Sequence, residues 1–196
     1  IGHGTRQRPH GAVDVWVTRT LQWGRNRWLD RLMVAVSRFG YSPWNRLTVV
    51  GSSLAAWGRW GWLEGAFLLL ASGAGGISNY LLKRLFGRTR PSADLVEVFL
   101  PHEDYSFPSG HVMVYTTFFG FCAFLAWSRL ESSLWRRLVL FVTIGLVLLI
   151  GPSRIYLGVH WLSDVVAAYL AGGAILLFVI EFYLYTDKEK LPQLSI

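Results

Sequence analysis

Three short segments of this chain hold residue types suited to gripping and attacking an oxyanion. The first is Lys83-Arg84-Leu85-Phe86-Gly87-Arg88-Thr89-Arg90-Pro91. If a helix continues past Lys83, Arg90 lies seven residues on and returns to the same face. Two cations there would clamp an anion, with Arg able to hold two oxygens at once. The plainer reading is a basic anchor reaching towards headgroups. The second segment is Pro108-Ser109-Gly110-His111, directly before an apolar run. Ser109 reads as a helix N-cap, Gly110 lets backbone approach a ligand, and His111 in the first turn could pass a proton to a leaving oxygen. Helix N-termini also attract anions through their free N–H groups.

The third segment runs from Ser153-Arg154 to His160 and Asp164. His160 and Asp164 stand four residues apart on an expected helix, so their side chains meet. A carboxylate on one imidazole nitrogen fixes the tautomer and leaves the other nitrogen as a nucleophile. A structural His–Asp pair at a helix start is the bland alternative. Arg154 adds a third positive group at the end of the preceding span.

The elements that must carry these segments are apolar. The chain has 196 residues, enough for one domain, and is 53% hydrophobic with 16% charged residues. Soluble domains carry about 25% charge. Mean hydropathy is +0.36. Ten Trp and eight Tyr suit the membrane–water boundary. The lone Cys122 leaves no intramolecular disulfide to form. The net charge of +7 fits an anionic membrane surface or an anionic substrate. Nucleic acid fits less well, because the basic residues flank hydrophobic spans rather than forming one stripe.

The fold expected is an all-α, polytopic transmembrane bundle within one membrane-embedded domain, 1–196. Residues 1–11 read as a mobile arm. Residues 12–40 read as amphipathic helices in the interface plane, split at Gly24 and ended near Gly40–Pro43. The bundle occupies 44–186, with five spans at about 44–60, 62–82, 112–128, 136–152 and 161–185. The first is diluted by Gly and Ser and bracketed by Arg46 and Arg59. Small residues in these spans, Gly73, Gly75, Gly76, Gly120, Gly145, Ala167, Ala171, Gly172 and Gly173 among them, are expected to pack helices closely. Counting crossings back from the last span puts the 83–111 loop and the 152–161 turn on one face of the membrane. The three polar segments therefore share that face, where a chance gathering of so many costly groups is hard to explain.

At these residues the sequence resembles the type-2 phosphatidic acid phosphatase superfamily, whose active site is shared with vanadium haloperoxidases. The pattern is Lys83 to Arg90-Pro91, Pro108-Ser109-Gly110-His111, and Ser153-Arg154 to His160 and Asp164, with every spacing intact. The resemblance implies a bacterial membrane phosphatase of the undecaprenyl-diphosphatase or phosphatidylglycerophosphatase kind. His160 would form a phosphohistidine, oriented by Asp164. His111 would protonate the leaving group and then activate water. Lys83, Arg90, Ser109, Gly110 and Arg154 would bind the phosphate oxygens. No metal or other cofactor is implied, and three fixed cations can neutralise a transferring phosphoryl group without one. The partners would be the bilayer and a lipid phosphate: undecaprenyl diphosphate, phosphatidylglycerophosphate or phosphatidate. Relatives of this layout have six spans, so a sixth is expected upstream. The resemblance places the active site on the periplasmic or exterior side of the inner membrane, whereas a count of Lys and Arg alone places it on the cytoplasmic side.

Other functions use the same residues. A lipid phosphotransferase would pass the phosphoryl group to an alcohol or phosphate instead of water. A haloperoxidase-like protein would hold vanadate, although those relatives are soluble and larger. A lipid-binding protein would need no nucleophile. Asp94, Glu97, Glu103 and Asp104 read chiefly as a solvated loop, with recognition of a cationic headgroup or of the substrate's glycerol as the alternative. Tyr105 and Phe107 would flank the pocket.

Overall fold

Asn26 divides the amphipathic N-terminal stretch. Its Oδ1 accepts from the N–H of Trp28 at 3.1 Å and of Leu29 at 3.0 Å, starting a new helix two residues beyond Gly24. The computed structural model describes residues 11–99 and 104–187. The expected arm therefore lies outside the described residues except for Gly11, which begins the first helix. The helices are α1 (Ala12–Trp23), α2 (Arg27–Arg38), α3 (Trp44–Trp60), α4 (Trp62–Phe86), α5 (Gly110–Arg129), α6 (Leu134–Tyr156) and α7 (Leu162–Thr186).

Helices α4, α5, α6 and α7 have 25, 20, 23 and 25 residues and are long and apolar enough to cross a bilayer. Their outer faces carry Ile77, Phe141, Leu148, Leu170, Leu177 and Phe178, all largely exposed. Apolar side chains facing outward along whole helices suit hydrocarbon, and helices satisfy their own backbone there. α3 has 17 residues, at the short end of the range of about 17–25 for a crossing. It packs along α4, where Gly65 lets the Ser53 carbonyl and Trp57 approach, and turns outward Leu47, Val50, Leu54 and Trp57.

α5 is the central helix, in contact with α4, α6 and α7. Phe118, Phe121 and Leu125 of α5 meet Phe67 of α4 and Val179 and Tyr183 of α7 in a buried cluster. The small residues divide in role. Gly75 lies against Thr117, Gly120 against Leu176 and Gly172 against Thr116, so a side chain at any of these would collide. Gly73, Gly76, Gly145 and Gly173 face open space, so close helix packing does not account for them.

α6 runs beyond the expected stop at residue 152. Pro152 lacks an N–H, and the Tyr169 hydroxyl patches the disturbed turn. It donates to the Val147 carbonyl at 2.6 Å and accepts from the Gly151 N–H at 3.1 Å. The helix therefore reaches Tyr156 and carries Ser153 and Arg154 into the polar end.

At the opposite end, Glu64 of α4 is fully buried and pairs with Arg129 of α5 at 2.9 Å. The Tyr183 hydroxyl donates to Glu64 at 3.0 Å, and Arg129 also meets Asp187. These contacts tie three spans together where an isolated charge would be costly. Arg129→Met should destabilise the bundle by about 3–5 kcal/mol, because Glu64 is left buried without its cation. A denaturant titration of the detergent-solubilised protein reads this, and an unchanged midpoint would contradict it.

Candidate functional site

The polar end is built from the last turn of α6, the first turns of α5 and α7, and the 87–109 connection. α2 and the 39–43 turn cover it. Gly87 stops α4 with φ at 56° and redirects the chain. Arg90 therefore does not lie on the helical face of Lys83, as the seven-residue spacing suggests. The two cations converge instead on Asp104. Lys83 Nζ pairs with Asp104 Oδ2, and Arg90 Nη2 lies 2.6 Å from Asp104 Oδ1. Asp104 is thus exposed but held by two cations; Glu97 is likewise exposed and pairs with Arg25, and Glu103 lies outside the described residues.

Gly158 shapes the other side of the site. Its φ is +66°, and a Cβ there would run into the Glu97 carbonyl. This turn releases α6 and brings Val159 and His160 back over the Arg154 carbonyl, to which both donate, at 3.2 and 3.3 Å. His160 is 1% exposed. Its Nε2 lies 3.1 Å from Arg90 Nη1. A guanidinium can only donate, so Nε2 carries the lone pair and the ring proton sits on Nδ1. Nδ1 faces Asp164 Oδ2 at 3.5 Å, with Ser106 Oγ also at 3.5 Å. The tautomer is the one that presents a nucleophilic Nε2. Burial first, then the charges of Arg90, Arg154 and Lys83, hold the His160 pKa well below the ordinary 6.5, against the opposing pull of Asp104.

Asp164 has no exposure to solvent and four donors around it. The Trp161 N–H reaches Oδ2 at 2.9 Å, as an acid in the first turn of a helix commonly arranges. The Ser106 hydroxyl donates to the same oxygen, Arg88 Nη1 reaches Oδ1 at 2.6 Å, and His160 completes the set.

Arg154 is buried along its whole length. Its Nη1 donates to Tyr41 Oη at 2.9 Å and Ser37 Oγ at 3.2 Å. Its Nε and Nη2 are buried with no hydrogen-bond partner, and so is Ser109 Oγ. Ser109 begins α5, but its side chain does not cap the helix. Buried donors are normally paired, so three orphans beside one imidazole mark a place for an anion's oxygens. Gly110 adds an N–H at the helix start. Its missing Cβ also serves packing, since one would lie 2.8 Å from Asn79 Oδ1 on α4. His111 lies under the 39–43 turn. Its ring centroid is 4.5 Å from that of Tyr41, and a Cβ on Gly40 would overlap the imidazole. Among the described residues no three His, Cys, Asp or Glu side chains gather as a cation site requires.

All eight residues singled out in the sequence therefore stand at this end. Spacing alone missed Ser37, Tyr41, Arg88 and Ser106. Arg88 lay inside the first basic run and could have been weighed as its third cation. Tyr41 and Ser37 are far away in sequence and carried no signal. Of the two aromatic residues expected to flank the site, Phe107 packs against Phe86 at 4.7 Å, while Tyr105 is 47% exposed.

The sequence pattern of the PAP2 superfamily matches residues 64–188 of this chain. Phosphatidylglycerophosphatase B of Bacillus subtilis is 30% identical over 175 residues, 87% of this chain and 82% of that protein. An undecaprenyl-diphosphatase of Sulfolobus acidocaldarius is 25% identical over 93% of this chain and 84% of its own length. The crystal structure of a transmembrane PAP2-type phosphatidylglycerolphosphate phosphatase from Bacillus subtilis superposes with a TM-score of 0.77. It covers 93% of this chain and 87% of that one, at 25% identity.

Asp104 stands between Lys83 and Arg90 as an anion in its own right. Burial opposes its ionisation, but the bond from Lys83 and the charges of Arg90 and Lys83 bring its pKa down to about 2. It remains a carboxylate through any ordinary assay range and occupies the two cations that the sequence pattern assigns to phosphate. Asp104→Asn should tighten inhibition by inorganic phosphate and vanadate by about 3–30-fold, the scale of one close charge pair near a surface. Inhibition constants measured from roughly pH 5 to 8 test this. Unchanged or weaker inhibition would show that the carboxylate does not compete.

Proposed function

This chain belongs to the PAP2 superfamily, and we propose that it removes phosphate from a membrane lipid through a phosphohistidine at His160, without a metal ion. The orphaned Arg154 and Ser109 donors beside a buried, neutral imidazole carry this reading. They supply what phosphoryl transfer requires, which is charge neutralisation and a nucleophile held in line.

His160 Nε2 attacks phosphorus as the bond to the leaving oxygen breaks, and His111 gives that oxygen its proton. The imidazole becomes a phosphorylated cation whose Nδ1–H faces the Asp164 carboxylate. His111, now neutral, takes a proton from water, and the hydroxide displaces His160 Nε2 to release inorganic phosphate. Lys83, Arg90, Arg154, Ser109 Oγ and the Gly110 N–H hold the remaining oxygens in both steps. Three fixed cations supply the neutralisation that Mg²⁺ supplies in other phosphoryl-transfer enzymes.

The substrate is a lipid phosphomonoester or diphosphate of the phosphatidylglycerophosphate, undecaprenyl diphosphate or phosphatidate type. The names of the relatives and an outward apolar bundle beside a cationic end support this class. We place the site at the periplasmic or exterior surface of the inner membrane.

Phosphate release from these lipids in detergent micelles, with and without EDTA, is the direct assay. Turnover should persist in EDTA and vanish in His160→Ala. Arg154→Met should lower kcat by about 10²–10³-fold, as loss of one oxyanion donor does elsewhere. Turnover that survives His160→Ala or dies on chelation would overturn the mechanism. The pH profile gives an independent check. His160 must be neutral to attack, and its pKa lies below the ordinary 6.5. The acid limb of kcat/KM, corrected for ionisation of the substrate, should therefore fall below pH 6.5. A limb at or above that value would contradict the assignment.

A further inference from the structure

We propose that Arg88 is a positioning residue that holds Asp164 in register with His160, and that Asp14 on the interfacial helix α1 holds Arg88 in turn. This rests on the reading of His160 as nucleophile.

The geometry is a continuous chain of polar contacts that joins two buried carboxylates, Asp14 and Asp164, through Arg88. Arg88 Nη1 donates to Asp164 Oδ1 at 2.6 Å and to Ser163 Oγ at 2.6 Å. Its Nη2 donates to Asp14 Oδ2 at 2.8 Å. The guanidinium thus spans two carboxylates, one on α1 and one on α7, with its side chain only 12% exposed. Asp14 is itself 5% exposed and gripped by α7. Its Oδ1 accepts the Ser163 N–H at 2.9 Å, and its Oδ2 accepts the Ser163 hydroxyl at 2.8 Å. A buried acid on an amphipathic helix, far from the motif in sequence, would be costly without such partners.

The consequence for chemistry lies in which oxygen each partner takes. Ser106 and the Trp161 N–H engage Oδ2, the oxygen that faces His160 Nδ1. Arg88 alone among the described side chains engages Oδ1. It therefore fixes rotation of the carboxylate about its Cβ–Cγ bond and keeps Oδ2 aimed at the imidazole. Lysine, with one nitrogen, cannot bridge Asp14 and Asp164 with the same planar fork. Asp14 sets the direction of that fork and fastens α1 to the first turn of α7. The seating of α1 is thereby linked to the orientation of the nucleophile.

The test is a double-mutant cycle on the full-length chain in detergent micelles, with kcat, KM and thermal unfolding measured for each variant. Arg88→Gln should lower kcat by about 10–100-fold, the cost seen when the partner that orients a ligating or catalytic group is removed. KM should move by less than about 3-fold, because Arg88 touches no phosphate-binding group. Arg88→Lys should recover part of the loss. In an Asp164→Asn background, Arg88→Gln should change kcat by less than about 3-fold, since its effect passes through Asp164. Asp14→Asn, which keeps shape, should lower kcat in the same direction by a smaller factor and be equally silent in the Asp164→Asn background. It supplies the cycle if Arg88→Gln does not fold.

Losses that multiply independently in the Asp164→Asn background would overturn the proposal, as would losses confined to KM or an unchanged kcat in both Arg88→Gln and Asp14→Asn. Failure of the nucleophile reading has a different signature, namely turnover by His160→Ala.

Discussion

A carboxylate sealed from solvent needs donors on every side, and at the polar end of this bundle that carboxylate is Asp164. Two helix starts, a loop serine, a loop arginine and an imidazole all terminate on it or beside it. The Ser109 N–H also donates to the Asp164 main-chain carbonyl at 3.2 Å, which brings the start of α5 against the start of α7. Satisfying one buried charge therefore sets the mutual position of the segments that carry Arg88, Ser106, Ser109 and His160. The same constraint explains why the imidazole shows its lone pair to the cations rather than to the acid.

The cations obey a second constraint. Lys83, Arg90 and Arg154 crowd around a neutral histidine at the margin of an apolar bundle, where like charges repel and desolvation is expensive. Each is stabilised differently. Lys83 and Arg90 share the carboxylate of a half-exposed Asp104 side chain, whereas Arg154 has only hydroxyl partners, Tyr41 and Ser37, contributed by the turn and helix that cover the site. On the proposed function, a phosphate held by these groups would relieve their repulsion and draw binding energy from charge that folding left poorly compensated. The opposite end of the bundle pairs its own buried charge internally, through contacts of Arg129 with Glu64, Tyr183 and Asp187, although Glu64 Oε2 is left without a hydrogen-bond partner.

Much of this was legible in the sequence because it is encoded in short-range spacing. His160 and Asp164 meet as their spacing suggests, although His160 stands in the turn before α7 and not on the helix, and Ser109 begins α5 without its side chain capping it. Helix breaks at Gly24 and near Pro43 followed from turn chemistry. What could not be read was contact between segments distant in the chain. Asp14 meets Arg88 across 74 residues and Tyr41 meets Arg154 across 113. No periodicity reports such pairings. The convergence of Lys83 and Arg90 was anticipated for the wrong reason, since Gly87 ends the helix that was meant to align them and Asp104 aligns them instead. α3 packs along α4 with its apolar face outward, and at 17 residues it lies at the short end of the crossing range.

The central claim is that a covalent bond forms between His160 and phosphorus. Rapid quenching into alkali, where phosphohistidine survives, followed by peptide mapping of protein mixed with a radiolabelled lipid phosphate, observes that bond directly. The account predicts label on the peptide containing His160, appearing before free phosphate accumulates. Label on another residue, or continued lipid turnover with no labelled protein at any quench time, would contradict it.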